Sequence, residues 1–454
     1  MSHWPLTPDD ITRPAYRSLA KAIAAAISAG NLRTGDRLPT HRQLAWELDV
    51  SVQTVSRAYE ELIRADLVVG EVGRGTFVNS LQPDTLETPW HSTAATLPRF
   101  DLSIMTPVAL PEVDRAWAQT LSDISGDLGP DITYELRPEI IAERYADMAT
   151  GWLARCGLVV GTRRVLITNG MTPAMFVALS SALVPGDIIA TEALTTHTLM
   201  QAARLLNLQL QGIACDERGM IPEALAAAVE EAAGQMKAVF LMPAGAGPNP
   251  RVMDRTRRDA LAKVALETGL TVLESDPLGP LPARRVAPVS SIVPRQGFYF
   301  TGLTKCLSPG LRLGFLVMPE GLFEHVTNRH LSTSWMVTPL IAEIARHWIE
   351  SGTADRVLAV HRIELAARNR LAQSILGPQC EGGLHNLHRW LHLPPQVDED
   401  TFISRASEQS VAVAAGSGFA VTDHRPAVRV CLGAGGRRDL ERALRTLAQV
   451  VPII

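Results

Sequence analysis

At 454 residues, with 46% hydrophobic and 20% charged residues and a net charge of −4, the chain has the composition of an ordinary globular protein, and its length exceeds what one hydrophobic core supports. No stretch approaches the roughly 18 apolar residues of a membrane span, and the opening MSHWPLTPDD has neither a basic nor an apolar secretory region, so a cytoplasmic protein without a membrane partner is expected. Five cysteines, at 156, 215, 306, 380 and 431, form no C-x-x-C pair, which points to neither a metal site nor a disulfide framework.

In chain order, PAYRSLAKAIAAAISAG has helical apolar spacing, with Gly30 as its expected stop. In LPTHRQLAWEL, Thr40 and Gln43 form a capping-box pattern, Asp49-Val50 makes a short turn, and Ser51 can cap SVQTVSRAYEELIRAD. LVVGEVGRGTFV alternates apolar residues around a glycine turn, as a two-stranded hairpin does. Together they make a winged helix-turn-helix over residues 11–79, with SVQTVSRAY as the helix that would enter a major groove. Gln53 can pair bidentately with adenine, Thr40, Ser51 and Thr54 can bond phosphate or base edges, and Arg42 and Arg57 supply counter-charge. Gly73, Arg74 and Gly75 in the wing could bring an arginine against the backbone or minor groove. Residues 11–80 hold nine Lys/Arg against seven Asp/Glu, a net of only +2, which lowers non-specific affinity without removing specific contacts; a small helical protein-binding domain is the competing reading.

Residues 80–98, rich in Pro, Ser and Thr, read as a linker. From 99 to 454, strands such as RVLIT (164–168), DIIAT (187–191), AVFLM (238–242) and TVLES (271–275) alternate with long helical stretches, the rhythm of an α/β domain with a largely parallel sheet. Ligands of such sheets bind beyond the carboxyl ends of the strands. There, ITNGMTPAMFVAL sets Gly170, Met171 and Thr172 between a strand and a helix, where backbone amides suit a phosphate. In TGLTKCLSPGLRLGFLVMP, Thr304 and Ser308 flank Lys305, a Pro-Gly turn follows, and Arg312 could grip the same anion. Hydroxyls, an amine and a guanidinium suit a phosphorylated aldehyde, which lysine can capture as a Schiff base; a solvated lysine at a strand end is the plain alternative.

GDRLPTHRQLAWELDVSVQTVSRAYEEL with GEVGRGTFV resembles the GntR-type winged helix, and residues 100 to 454 resemble the fold type I aminotransferases, with a largely parallel sheet and a smaller C-terminal α+β subdomain. The whole chain therefore resembles the MocR subfamily of transcriptional regulators. The resemblance implies a homodimer binding a double-stranded DNA operator. It implies pyridoxal 5'-phosphate on Lys305, with Gly170, Met171, Thr172, Thr304 and Arg312 around the phosphate, Asn249 on the phenolic oxygen, and Tyr134 lent to the neighbouring subunit's phosphate. Arg429 would grip an amino acid's carboxylate, and His197 is the ring nearest to where the family stacks a tyrosine.

Departures from the pattern fall on chemically decisive positions. Val52 stands where the GntR family often has an arginine, which leaves more of the readout to Gln53. TVLESDPLGPL has Ser275 in place of the aspartate that keeps the pyridine nitrogen protonated, and Leu278 in place of a tyrosine; Thr196 replaces the stacking tyrosine. Because side chains alternate along a strand, Asp276 should face away from a ring that faces Ser275 unless a bulge intervenes. The expected function is a DNA-binding regulator whose large domain senses a small molecule, an amino acid or amine. The alternatives are an aminotransferase with an accessory DNA-binding domain, and a regulator whose large domain no longer binds the cofactor.

Overall fold

The computed structural model describes residues 7, 11, 15–28, 32, 35–64, 67–71, 75–79, 98–422 and 424–450. It divides into two compact units, Met1–Thr88 and Pro89–Ile454. Gly30, the wing residues Gly73 and Arg74, and the linker up to residue 97 lie outside the described residues.

The smaller unit holds three helices, α1 (Ala15–Ser28), α2 (His41–Glu47) and α3 (Val52–Arg64), then a hairpin of β1 (Val68–Glu71) and β2 (Gly75–Val78) paired antiparallel with Val68 opposite Val78. Its core is the apolar faces of these helices: Leu19, Ile23, Leu44, Val55 and Leu62 are almost fully buried. Thr40 caps α2 by accepting the Gln43 N–H at 3.3 Å. Only that half of the capping box forms, because the Gln43 amide turns forward to Glu47 at 3.0 Å instead of back to Thr40. Asp49, at φ +50°, makes the tight turn between α2 and α3. Tyr59 locks α3 onto the turn ahead of α2 through its hydroxyl, 2.8 Å from the Pro39 carbonyl.

The larger unit is built on a seven-stranded sheet in the order Val165–Thr168, Gly314–Val317, Gly297–Gly302, Thr271–Asp276, Met236–Leu241, Ile188–Glu192, Gln209–Ile213. Every pairing is parallel except the two made by Gly314–Val317, which runs antiparallel to both neighbours. The four strands expected from sequence all lie in this sheet, with ends shifted by one or two residues. Alternation sorts its two faces: Leu273, Phe298 and Phe300 pack toward helix Met171–Ala182, whereas Tyr299 and Phe315 join the core containing Trp152 and Trp348. A second, four-stranded antiparallel sheet, Cys380–Glu381, His388–His392, Ala427–Cys431 and Ala414–Ala415, forms the C-terminal subdomain. All five cysteines are free, and among the described residues no helix is long and apolar enough to cross a membrane.

Candidate functional site

Helix α3 presents its N-terminal turn to solvent. Ser51 accepts the Thr54 N–H at 3.0 Å and shares a 2.8 Å hydrogen bond with the Thr54 hydroxyl, so both hydroxyls first serve to cap the helix. Val52 and Gln53 stand exposed beside them. Arg42 is exposed on α2, and Arg57, exposed on α3, lies 5.9 Å from the Tyr16 ring. Gly75 opens the second wing strand at φ +122°, and a Cβ there would stand 2.8 Å from Nε of Arg37, an exposed arginine that no sequence motif singles out.

In the larger unit a cavity of about 410 Å³ opens beyond the carboxyl ends of the parallel strands. It gathers Gly170, Met171, Thr172, His197, Ser275, Thr304, Lys305, Arg312 and Arg429, together with Thr196. Gly170, at φ +102°, turns the chain from strand into helix, which starts at Met171 with its free amides toward the cavity end. Two further glycines permit the close approach: a Cβ on Gly314 would sit 2.6 Å from the Gly170 carbonyl, and one on Gly302 would sit 2.9 Å from Cγ of Met171.

Lys305 follows strand Gly297–Gly302 and donates through Nζ to the Met105 carbonyl. Burial pulls its pKa down to about 8, and the Arg429 and Arg312 guanidiniums add to the fall. Ser308, which flanks it in sequence, turns away and accepts the Trp117 indole N–H at 3.0 Å. His361 closes the lysine loop from behind, 3.0 Å from the Cys306 carbonyl and 3.0 Å from that of Val108. Also in the cavity wall, Arg429 donates to the Ser103 carbonyl at 2.7 Å and lies 4.6 Å from the centre of the Phe419 ring. His197 meets the same ring edge-on at 5.8 Å; burial, then Arg429 and Lys305, hold its pKa down at about 3, so it is neutral.

Ser275 lines the cavity, and Asp276 does not. The strand is regular here, with Ser275 opposite Phe300 and Asp276 opposite Thr301, so no bulge brings the carboxylate round. Asp276 is instead held on the other face by Arg285, by the Tyr299 hydroxyl at 2.7 Å and by the Gly279 N–H at 3.1 Å. Leu278 lies in the core on that side. Asn249 and Tyr134 are not brought to the cavity lining of their own chain. Asn249 sits in a turn tied down by Asn386 to Gly245 and by His388 to Pro248, with its Oδ1 buried and unpartnered. Tyr134 is 83% exposed. Phe419 and the Ser103–Met105 backbone complete the site and were missed in sequence: one lies in a short turn, the others act through carbonyls, which carry no side-chain signature.

Residues 15–78 match the model of the bacterial regulatory proteins of the gntR family. The chain is 28% identical over 459 residues to the HTH-type transcriptional regulator YdeF of Bacillus subtilis, covering 99% of this chain and 96% of the relative. It is 27% identical over 364 residues to the vitamin B6 salvage pathway transcriptional repressor PtsJ of Salmonella typhimurium, covering 78% and 79%. In fold it is similar to an archaeal alanine:glyoxylate aminotransferase, with a TM-score of 0.71 at 18% identity over 79% of this chain and 91% of that one. A GntR-type helix-turn-helix followed by a fold type I aminotransferase-like domain is a MocR-like architecture, and both of these relatives are transcriptional regulators. The chain is a helix-turn-helix regulator of that architecture.

Proposed function

We propose that this regulator senses a small molecule in its larger unit, with pyridoxal 5'-phosphate held at Lys305, and that the ligand biases a dimer between arrangements that do and do not present both winged helices to operator half-sites. The cavity suits the cofactor: a positive-φ glycine and a helix start for a phosphate, a hydroxyl and a guanidinium at Thr304 and Arg312, and a lysine whose amine is half free base near pH 8. The unpartnered Asn249 Oδ1 beside the cavity-lining Pro248 leaves that side chain available to turn inward. When bound, the cofactor supplies an aldehyde carbon for amines. Tyr134, exposed on its own chain, is available to a partner subunit's phosphate.

One observation carries the sensing role. Lys305 and Arg429, both in the cavity wall, rest on backbone carbonyls of a single stretch, Met105 and Ser103. That stretch comes a few residues after the linker: Phe100–Asp101 pairs with Val411–Ala412, Leu102 bonds Cys431, and the Asp101 carboxylate accepts the Ser103 N–H at 2.9 Å. A ligand that draws Lys305 and Arg429 to itself removes two of this stretch's fastenings at once. The chain leading to the DNA-binding unit is thereby sensitive to whether the cavity is filled.

An enzymatic reading is favoured by Lys305, Arg312 and Arg429 and opposed by Ser275, which cannot hold a charged pyridine as a carboxylate does. The full-length chain is titrated with its own promoter DNA, with and without pyridoxal 5'-phosphate and amino acids, alongside Lys305→Ala. Promoter affinity should respond to ligand in the native chain and not in the variant, and transamination should be very slow. Turnover at ordinary enzyme rates of about 1 to 1,000 per second, with no effect of ligand on DNA binding, would favour the enzyme.

A further inference from the structure

Among the described residues no carboxylate lines the cavity. Its charged residues are Lys305, Arg312 and Arg429, and its one histidine, His197, is neutral. The nearest acids on the adjoining strand, Glu274 and Asp276, point to the opposite face: Glu274 accepts the Ser290 N–H at 2.8 Å, and Asp276 is consumed by Arg285, Tyr299 and Gly279. What the strand offers instead is Ser275, buried to 6% exposure, lining the cavity, and without a hydrogen-bond partner among the described residues. With Lys305 engaged by the ligand, a wall that keeps Arg312 and Arg429 and has no acid disfavours a further cationic group, and a lone hydroxyl there can donate one hydrogen bond to a neutral nitrogen acceptor.

We infer that Ser275 makes this a site for an unprotonated pyridine, its hydroxyl donating to the ring nitrogen. This rests on the proposal that pyridoxal 5'-phosphate binds at Lys305, and it names the state in which the ring is held. Fold type I enzymes that place a carboxylate at this position hold the ring as a cation. Here the ring stays neutral and draws little electron density from an attached group, so the cavity retains its ligand without turning it over.

The test compares pyridoxal 5'-phosphate with its N-methylated analogue, whose ring is a permanent cation, for binding to the full-length native chain, Ser275→Asp and Ser275→Ala, followed by absorbance. The native chain should bind the analogue at least about tenfold more weakly, because the hydrogen bond is lost and the cation is repelled. Ser275→Asp should reduce or reverse that preference although the aspartate is bulkier, which separates charge from steric exclusion, and Ser275→Ala should narrow it. In parallel, nitrogen-15 NMR of ring-labelled pyridoxal 5'-phosphate on the native chain reads the protonation state directly and needs no variant to fold. A protonated ring in the native chain, or equal binding of both compounds, overturns the inference and leaves the cofactor assignment standing. If neither compound binds, the cofactor assignment itself fails, and the inference with it.

Discussion

Two regions of this molecule are held together by contacts of opposite range. In the helix-turn-helix, the caps that start its two helices lie within three residues: Thr40 with Gln43 on α2 and Ser51 with Thr54 on α3. In the cavity, Arg429 reaches Ser103 and Lys305 reaches Met105, contacts that span most of the larger unit. A locally built surface tolerates change one side chain at a time. A site assembled across a sheet depends on backbones that must approach closely, and its weak points are glycines distant from the chemistry.

Gly314→Ala sharpens that contrast most strongly. Its Cβ would stand 2.6 Å from the Gly170 carbonyl and 2.7 Å from Oγ1 of Thr168, where rigid backbone on a central strand leaves little room to yield. A cost of about 1–3 kcal/mol or more to the larger unit is expected from overpacking, together with loss of cofactor uptake if the shifted Gly170 turn is the phosphate site proposed above. Thermal unfolding of the full chain, followed with absorbance at saturating pyridoxal 5'-phosphate, checks both. Unchanged uptake would show that the Gly170 turn is not the anion site.

The DNA face should respond differently. Gln53→Ala should cost about 1–3 kcal/mol at one base pair and relax preference there, since Gln53 is exposed next to a valine that can make no polar contact. Arg42→Ala should lower affinity more evenly across sequences and flatten the salt dependence. Binding to promoter and scrambled DNA at two salt concentrations separates the two outcomes, and no effect from either variant would count heavily against this face as the DNA contact.

What was legible in sequence follows the same division of range. Caps, the helix-turn-helix, the hairpin and the four strands are signalled by neighbouring residues, as is the outward turn of Asp276, which needs only the alternation of a strand. Lys305, Arg312 and the Gly170 turn were legible because strand ends in a parallel sheet converge. The half-formed capping box was not, since Gln43 had a competing acceptor one turn on at Glu47. Nor were the resting partners of Lys305 and Arg429, because any residue could supply those carbonyls. Asn249 and Tyr134 were placed by resemblance alone, and their positions in a single chain depend on a turn tied down by Asn386 and His388 and on a surface open to a partner.

The lysine also carries a pH signature. With Lys305 drawn down to about 8, chiefly by burial, its neutral amine should become available as pH rises through about 8 rather than near the ordinary 10.5. Cofactor uptake should rise by about tenfold per pH unit below 8 and flatten above it. The sign for stability follows from the same shift: between 8 and 10.5 the unfolded chain binds more protons at this residue than the native one, so Lys305 contributes increasing stability as pH rises across that window. Uptake rates by stopped-flow absorbance across pH 6.5 to 9.5, a range chosen as roughly 1.5 units on either side of the shifted pKa, test this. A rate still climbing at the upper limit would place the lysine in solvent.

The smallest expected effect tests whether the local region is as self-contained as its contacts indicate. The Ser51 hydroxyl shares the Thr54 N–H, which it accepts at 3.0 Å, with the Ser51 carbonyl, which accepts it at 2.9 Å, and is also paired with the Thr54 hydroxyl at 2.8 Å. Ser51→Ala should therefore cost about 1 kcal/mol of stability in the smaller unit, the usual loss for an N-cap hydroxyl, while Ser51→Gly should cost only a few tenths, since glycine leaves the amide open to water. Calorimetry of the full chain should show the transition of the smaller unit moving and that of the larger unit staying in place, because both hydrogen bonds of the serine hydroxyl lie within residues 51–54. A shift of both transitions by the same amount would mean that the two units unfold as one. The contrast between a locally built recognition surface and a long-range cavity would then hold for their contacts and not for their energetics.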